Sequence, residues 1–324
     1  MRADGAVKRG IPQWLRGFIK TKGSLVVFLI LWLFAMIFVP RFAMLDNALL
    51  IIKQAAIPVI ACLGMTMVLM TGGIDLSLGY TVGLSSIIVG ILVKGMGIPA
   101  VPAVLITLVT GCVIGLLNGF VVQVIRVPAF IATLGTGYII YGLAQIVSQG
   151  RDINRLPRDF LAIGRTEFLG INTTVAIALG ICLIMYYVIH MSTFGRGLSA
   201  FGYSARASKL SGIHTAQINI TVYVVCALFA SLAGILLTIR VNSAQPNMGG
   251  GNYTFEIITA AVVGGASLFG GVGSVIGSVF GVLIIKVIEN CINLAGVSYY
   301  TYQAVQGLVI LLSIIFENVK NRKL

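Results

Sequence analysis

The chain has 324 residues, of which 58% are hydrophobic and only 10% charged, and its mean hydropathy is +1.03. A soluble domain covers its surface with about 25% charged residues, so this composition excludes one and describes an all-α polytopic membrane protein. The net charge of +13 does not mark a nucleic-acid binder, because a basic patch needs a soluble face to present it. It fits the excess of Lys and Arg that holds loops on the cytoplasmic side of a membrane.

In chain order, the N-terminal segment 1–17 is basic, and Arg2, Lys8, Arg9, Arg16, Lys20 and Lys22 all precede the first long apolar run. That run, Ser24–Val39, ends in Pro-Arg-Phe without a small-residue cleavage site, which predicts an uncleaved first span. A helix needs about 20 apolar residues to cross a bilayer. Ten candidate spans follow: 18–39, 48–71, 74–94, 99–124, 128–149, 171–191, 216–239, 254–268, 271–290 and 301–318. The eighth is short, and with the ninth it has the form of re-entrant half-helices. Ten crossings from a cytoplasmic N-terminus leave the tail 319–324 cytoplasmic as well. Inside segments then hold the N-terminal cations with Arg126, Arg196, Arg206, Lys209, Lys320, Arg322 and Lys323. Outer segments hold Arg41, Lys94, Arg151, Arg155, Arg158, Arg165 and Arg240, together with most of the acids. This bias follows the positive-inside rule.

Two connections are long. The outer loop, 150–170, has room for a short helix on the membrane surface. The inner loop, 192–215, alternates small and basic residues, among them Gly195, Arg196, Ala200, Gly202, Ser204, Arg206, Ala207, Lys209 and Gly212. That pattern predicts one or two short surface helices.

Two stretches 192 residues apart match around double glycines. The first carries Gly72 and Gly73, the second Gly264 and Gly265. In register, Leu76 falls on Leu268, Gly79 on Gly271, Ser86 on Ser278 and Lys94 on Lys286. Each glycine pair interrupts one hydrophobic run and starts another, and corresponding helix breaks in two halves of a membrane protein point to a transport path. The span count makes the copies parallel and puts both breaks toward the cytoplasmic side; an error of one would make them inverted.

Catalytic chemistry is absent from the sequence. No glycine-rich stretch ends in the Gly-Lys-Ser/Thr of a phosphate-binding loop, and Cys62, Cys112, Cys182, Cys226 and Cys291 show no metal spacing. His190 and His214 have no plausible metal partner or nucleophile nearby. No metal, cofactor or enzymatic activity is expected. Charges inside spans are few: Lys53, Lys94, Lys286 and Glu289 sit near outer ends, where long side chains reach water, and Lys286 and Glu289 form an i, i+3 pair. Asp75 follows the first break as a helix cap or a solute contact. The remaining polar groups are neutral, namely Ser77, Asn118, Gln123, Gln145, Asn242, Gln245 and Asn247. Such groups exchange hydrogen bonds with a neutral polyol without ion desolvation, or bond helix to helix.

The segments Leu63–Gly79, Val127–Thr136, Asn242 through Gly-Gly-Ala-Ser-Leu-Phe-Gly-Gly-Val-Gly-Ser, and the inner loop from Gly195 to Ile213 together resemble the permease subunit of ribose-type sugar ABC importers, over nearly the whole chain. The resemblance implies a bacterial inner-membrane pore subunit with three protein partners: a cytoplasmic ATP-binding subunit, a periplasmic or extracellular sugar-binding protein, and a second permease copy or homologue. It implies that the inner loop docks on the ATPase. Ser204 stands where the family commonly has Asn, and either residue caps a helix. A self-sufficient secondary carrier of a neutral polar solute is the alternative.

Overall fold

The computed structural model describes residues 13–168 and 170–321. Arg2, Lys8, Arg9, Arg322 and Lys323 lie outside the described residues. The long helices are α1 Gln13–Phe38, α2 Leu45–Met70, α3 Leu78–Gly90, α4 Ala100–Phe120, α5 Ala129–Ser148 and α7 Thr173–Tyr186, then α10 Thr215–Val241, α11 Gly250–Val263, α12 Val275–Leu294 and α13 Tyr299–Asn321. Short helices α6 Arg158–Arg165, α8 Thr193–Tyr203 and α9 Ala205–Leu210 occupy the two long connections. Two-residue strands β1 Ile153–Asn154 and β4 Ser243–Ala244 pair with each other, as do β2 Glu167–Phe168 and β3 Ile171–Asn172.

Among the described residues, seven helices are long and apolar enough to cross a membrane, and α1, α11 and α13 correspond to the other three predicted segments. Two expectations change. Residues 13–17 and 319–321 belong to α1 and α13, so those parts of the end segments are helical. The pair of half-helices is only one: α11 has 14 residues and reaches about 21 Å, whereas α12 has 20.

The centre of the bundle is α2. From Ala55 to Met70 every residue is buried, the pattern of a helix apolar on all sides and surrounded by others. Around it pack α7, α10, α11 and α12, and α10 also lies along α3 and α4. The outward face of α4 exposes Val101, Leu105 and Val109, as a lipid-facing surface requires.

The long connections fold against opposite ends of α10. At its C-terminal end, Arg165 Nε of α6 donates to Ile239 O at 3.0 Å and Leu156 N–H donates to Asn242 Oδ1 at 3.1 Å. At its N-terminal end lie α8 and α9. Gly195 N–H donates to Ser192 Oγ at 3.1 Å to cap α8, and Ala207 N–H donates to Ser204 Oγ at 3.2 Å to cap α9.

Candidate functional site

The two glycine breaks lie side by side. Both α2 and α11 end in a left-handed glycine, Gly72 at φ +76° and Gly265 at φ +96°, the conformation that glycine adopts without a Cβ penalty. Both helices end toward the same side, so the repeats run parallel. The structural equivalents are Gly72 and Gly265, one residue off the register read from the sequence. The second break is also longer, 264–274 against 71–77. Gly79 consequently sits inside α3 while its sequence counterpart Gly271 sits in a loop at φ +81°.

The inner loop touches both breaks. Gly271 N–H donates to Met70 O at 2.8 Å, joining the second break to the end of α2. The C-terminal turn of α8 is wedged against that joint. A Cβ on Gly202 would lie 2.0 Å from Met70 O and 2.2 Å from Gly271 N, and a Cβ on Gly270 would lie 3.1 Å from Gly72 N and 2.8 Å from Gly202 O. The opposite side of the α8–α9 unit is open, with Arg196, Arg206, Ala207, Lys209, Leu210 and Gly212 exposed, and Tyr203 stands at its edge with its ring against Gly271. Tyr203 is 72% and Leu210 84% accessible, so aromatic and aliphatic groups stand among cations, a composition suited to a protein partner. Ala200, on the inner turn of α8, is half-buried and borders a groove against the start of α10.

Three of the polar residues singled out in the sequence meet in the interior. Asp75 Oδ1 accepts from Ser77 N–H at 2.9 Å and from Ser77 Oγ at 2.6 Å. Asn118 Nδ2 donates to Ser77 Oγ at 2.8 Å, and Thr136 Oγ1 donates to Asn118 Oδ1 at 2.7 Å. Asp75, Ser77 and Asn118 are fully buried. Asp75 thus holds the backbone of the break at Ser77, one position before α3. Gly73 packs beside it, where a Cβ would come within 2.6 Å of the Tyr223 hydroxyl. Gly264, the C-cap of α11, rests on Gly277 of α12.

The other five divide. Asn242 ends α10 at φ +59° and anchors the outer loop through Leu156. Gln245 is tied to α3 through its backbone N–H, which donates to Ser86 Oγ at 3.0 Å. Asn247 and Gln145 form an open amide pair, Gln145 Nε2 donating to Asn247 Oδ1 at 2.8 Å. Gln123 Oε1 accepts from Asn219 Nδ2 at 2.8 Å and so joins two helices.

Lys286 is not at an outer end. It is the twelfth residue of α12, 8% exposed, and its Nζ lies 2.8 Å from Glu256 Oε1 and 2.7 Å from Glu289 Oε2. Glu256 does not stand out in the sequence, because it sits in the short eighth span next to aromatic and aliphatic residues. Sequence reading also passes over Tyr80, Tyr138 and Tyr141, whose rings cluster beside Gln145. The available signal is the spacing 138, 141, 145, which places two tyrosines and an amide on one stripe of α5. A cleft of about 350 Å³ lies between α11 and α13, lined by Asn252, Phe255, Gln303, Gln306, Gly307 and Ile310.

Comparison with known proteins adds what geometry alone does not carry. The chain is 36% identical to the ribose import permease protein RbsC of Escherichia coli K12 over 317 residues, covering 96% of this chain and 98% of that one. It is 32% identical to the L-arabinose transport system permease protein AraH of the same strain, over 93% of this chain and 91% of AraH. The galactose/methyl galactoside import permease protein MglC of Haemophilus influenzae is 31% identical, over 95% and 97%. No solved structure matches the chain. Residues 47–314 match the family model described as branched-chain amino acid transport system / permease component, and the chain belongs to that permease family.

Proposed function

We propose that this chain is the pore subunit of an ATP-driven importer of a neutral sugar or sugar-like solute in the bacterial inner membrane. It works by alternating access, as one transmembrane domain. A cytoplasmic ATPase docks on α8–α9, a sugar-binding protein delivers solute at the end that carries α6, and a second permease copy completes the path. The observation that carries this reading is the wedge of α8 against both glycine breaks: an element with an exposed, partly basic outer face presses on the end of α2 and on Gly270 and Gly271 of the second break. A partner that binds two states of that element differently shifts the equilibrium between them. Near-full-length similarity to permeases named for ribose, arabinose and galactose supports the solute class. The neutral groups at Gln145 and Asn247 suit such a solute.

The buried Lys286–Glu256–Glu289 cluster favours a second reading, a self-sufficient carrier driven by an ion gradient, since ionisable groups inside a membrane protein often mark ion pathways. One experiment separates the two. The chain is purified with its ATPase and binding protein, reconstituted in proteoliposomes, and tested for uptake of labelled D-ribose, L-arabinose and D-galactose. Uptake that stops when ATP hydrolysis is blocked is the expected outcome. Uptake by this chain alone under a proton or sodium gradient overturns the reading.

A further inference from the structure

We infer that Tyr80, Tyr138 and Tyr141 form an aromatic platform on which the ring of the transported sugar rides past the middle of the membrane, an inference that rests on the importer reading above. Tyr138 is the tenth of the 20 residues of α5, about 15 Å from either helix end. Tyrosines that anchor a protein in a bilayer sit at the two interfaces, and this one is at neither. It is nevertheless 62% accessible, and Tyr141, one turn further along, is 36% accessible. Beyond them on the same stripe stands the Gln145–Asn247 pair, whose single mutual bond leaves amide donors and acceptors to spare. Hydrocarbon would leave those groups unsatisfied, so the outer end of this stripe, where Gln145 stands three residues from the end of α5, borders a polar space.

The ring geometry fits one class of solute. Tyr80 reaches across from α3 with its ring against the bare backbone of Gly137. Its centroid lies 5.8 Å from that of Tyr138, at 33°, and 5.8 Å from that of Tyr141, at 62°. The rings therefore brace one another from behind, and the exposed face of Tyr138 is left free. A cyclic sugar has a rim of hydroxyls and a flatter face of C–H bonds. Amides recognise the rim, and an aromatic face accepts the C–H face. Such contacts are weak and tolerant of hydroxyl stereochemistry, as a surface must be if the solute is to leave it.

The test uses the complete importer in proteoliposomes, with the permease carrying Tyr138→Phe or Tyr138→Leu and with labelled D-ribose, L-arabinose and D-galactose at limiting concentration. Phe keeps the ring and Leu keeps only the apolar bulk. The expected result is wild-type uptake, within about twofold, for Phe and a fall of about tenfold for Leu, with assembly and ATP hydrolysis unchanged in both. Equal uptake by the Leu and Phe variants overturns the platform while leaving the importer reading intact. Loss of the two-copy assembly in the Leu variant on size exclusion places the ring in a subunit interface and also overturns it. A wild-type complex that moves none of the three sugars on ATP removes the importer reading, and the platform with it.

Discussion

Lys286 carries its charge halfway along a helix and is almost wholly enclosed by protein. Glu256 and Glu289 flank it at 2.8 and 2.7 Å, so two carboxylates share one ammonium. Such a cluster is costly to break from one side, because the groups left behind stay buried without a counter-charge. Lys286→Met is expected to destabilise the protein by about 3–5 kcal/mol. Replacing all three as Lys286→Met, Glu256→Gln and Glu289→Gln should recover most of that loss, since a neutral cluster no longer needs the lysine. Thermal unfolding in detergent measures both variants. A single variant as stable as the wild type would show that the cluster does not hold α11 to α12. Uptake retained by a folded triple variant would also remove the main support for an ion-driven carrier. The i, i+3 spacing makes the Lys286–Glu289 half of this cluster legible in the sequence. The Glu256 half depends on how α11 is rotated against α12, which no local pattern records.

The elements that meet at the glycine breaks separate docking from transmission. Arg206 lies on the exposed side of α9, whereas Gly202 is pressed on Met70 O and Gly271 N from the inner side. A methyl group at Gly202 has no room at 2.0 Å from a backbone oxygen, so Gly202→Ala must push α8 away from both breaks. The expected outcome is a complex that still assembles and hydrolyses ATP but takes up about tenfold less sugar per ATP. Arg206→Glu should act earlier and weaken ATPase binding itself. Co-purification yield and the ratio of uptake to hydrolysis measure the two effects. An unchanged ratio in Gly202→Ala would mean that the wedge carries no motion. The breaks themselves are legible because paired glycines interrupt apolar runs, and the short inner helices because Ser192 and Ser204 stand where caps belong. The one-residue shift between Gly72 and Gly265 is not legible. It follows from where each helix closes its last turn, and Thr71 ends α2 where Gly264 ends α11.

At the scale of the whole molecule, α6 and α8–α9 lie at opposite ends of α10, which puts the two long connections on opposite sides of the membrane. Hydropathy shows the spans because each must satisfy its own backbone in lipid. It does not show which faces turn inward: Asp75, Ser77 and Asn118 read alike with Gln145 and Asn247, yet the first three are sealed in the bundle, while Gln145 is half-buried and Asn247 exposed. If the permease reading holds, ten long segments with α8–α9 on the cytoplasmic side place Arg155 outside and Arg206 inside. In a variant whose five native cysteines are replaced by Ala or Ser, a single Arg155→Cys should react with a membrane-impermeant maleimide on intact spheroplasts. Arg206→Cys should react only after the membrane is opened. The reverse pattern would invert the polarity, put the exposed face of α8–α9 out of reach of any cytoplasmic ATPase, and end the importer reading at its mechanical core.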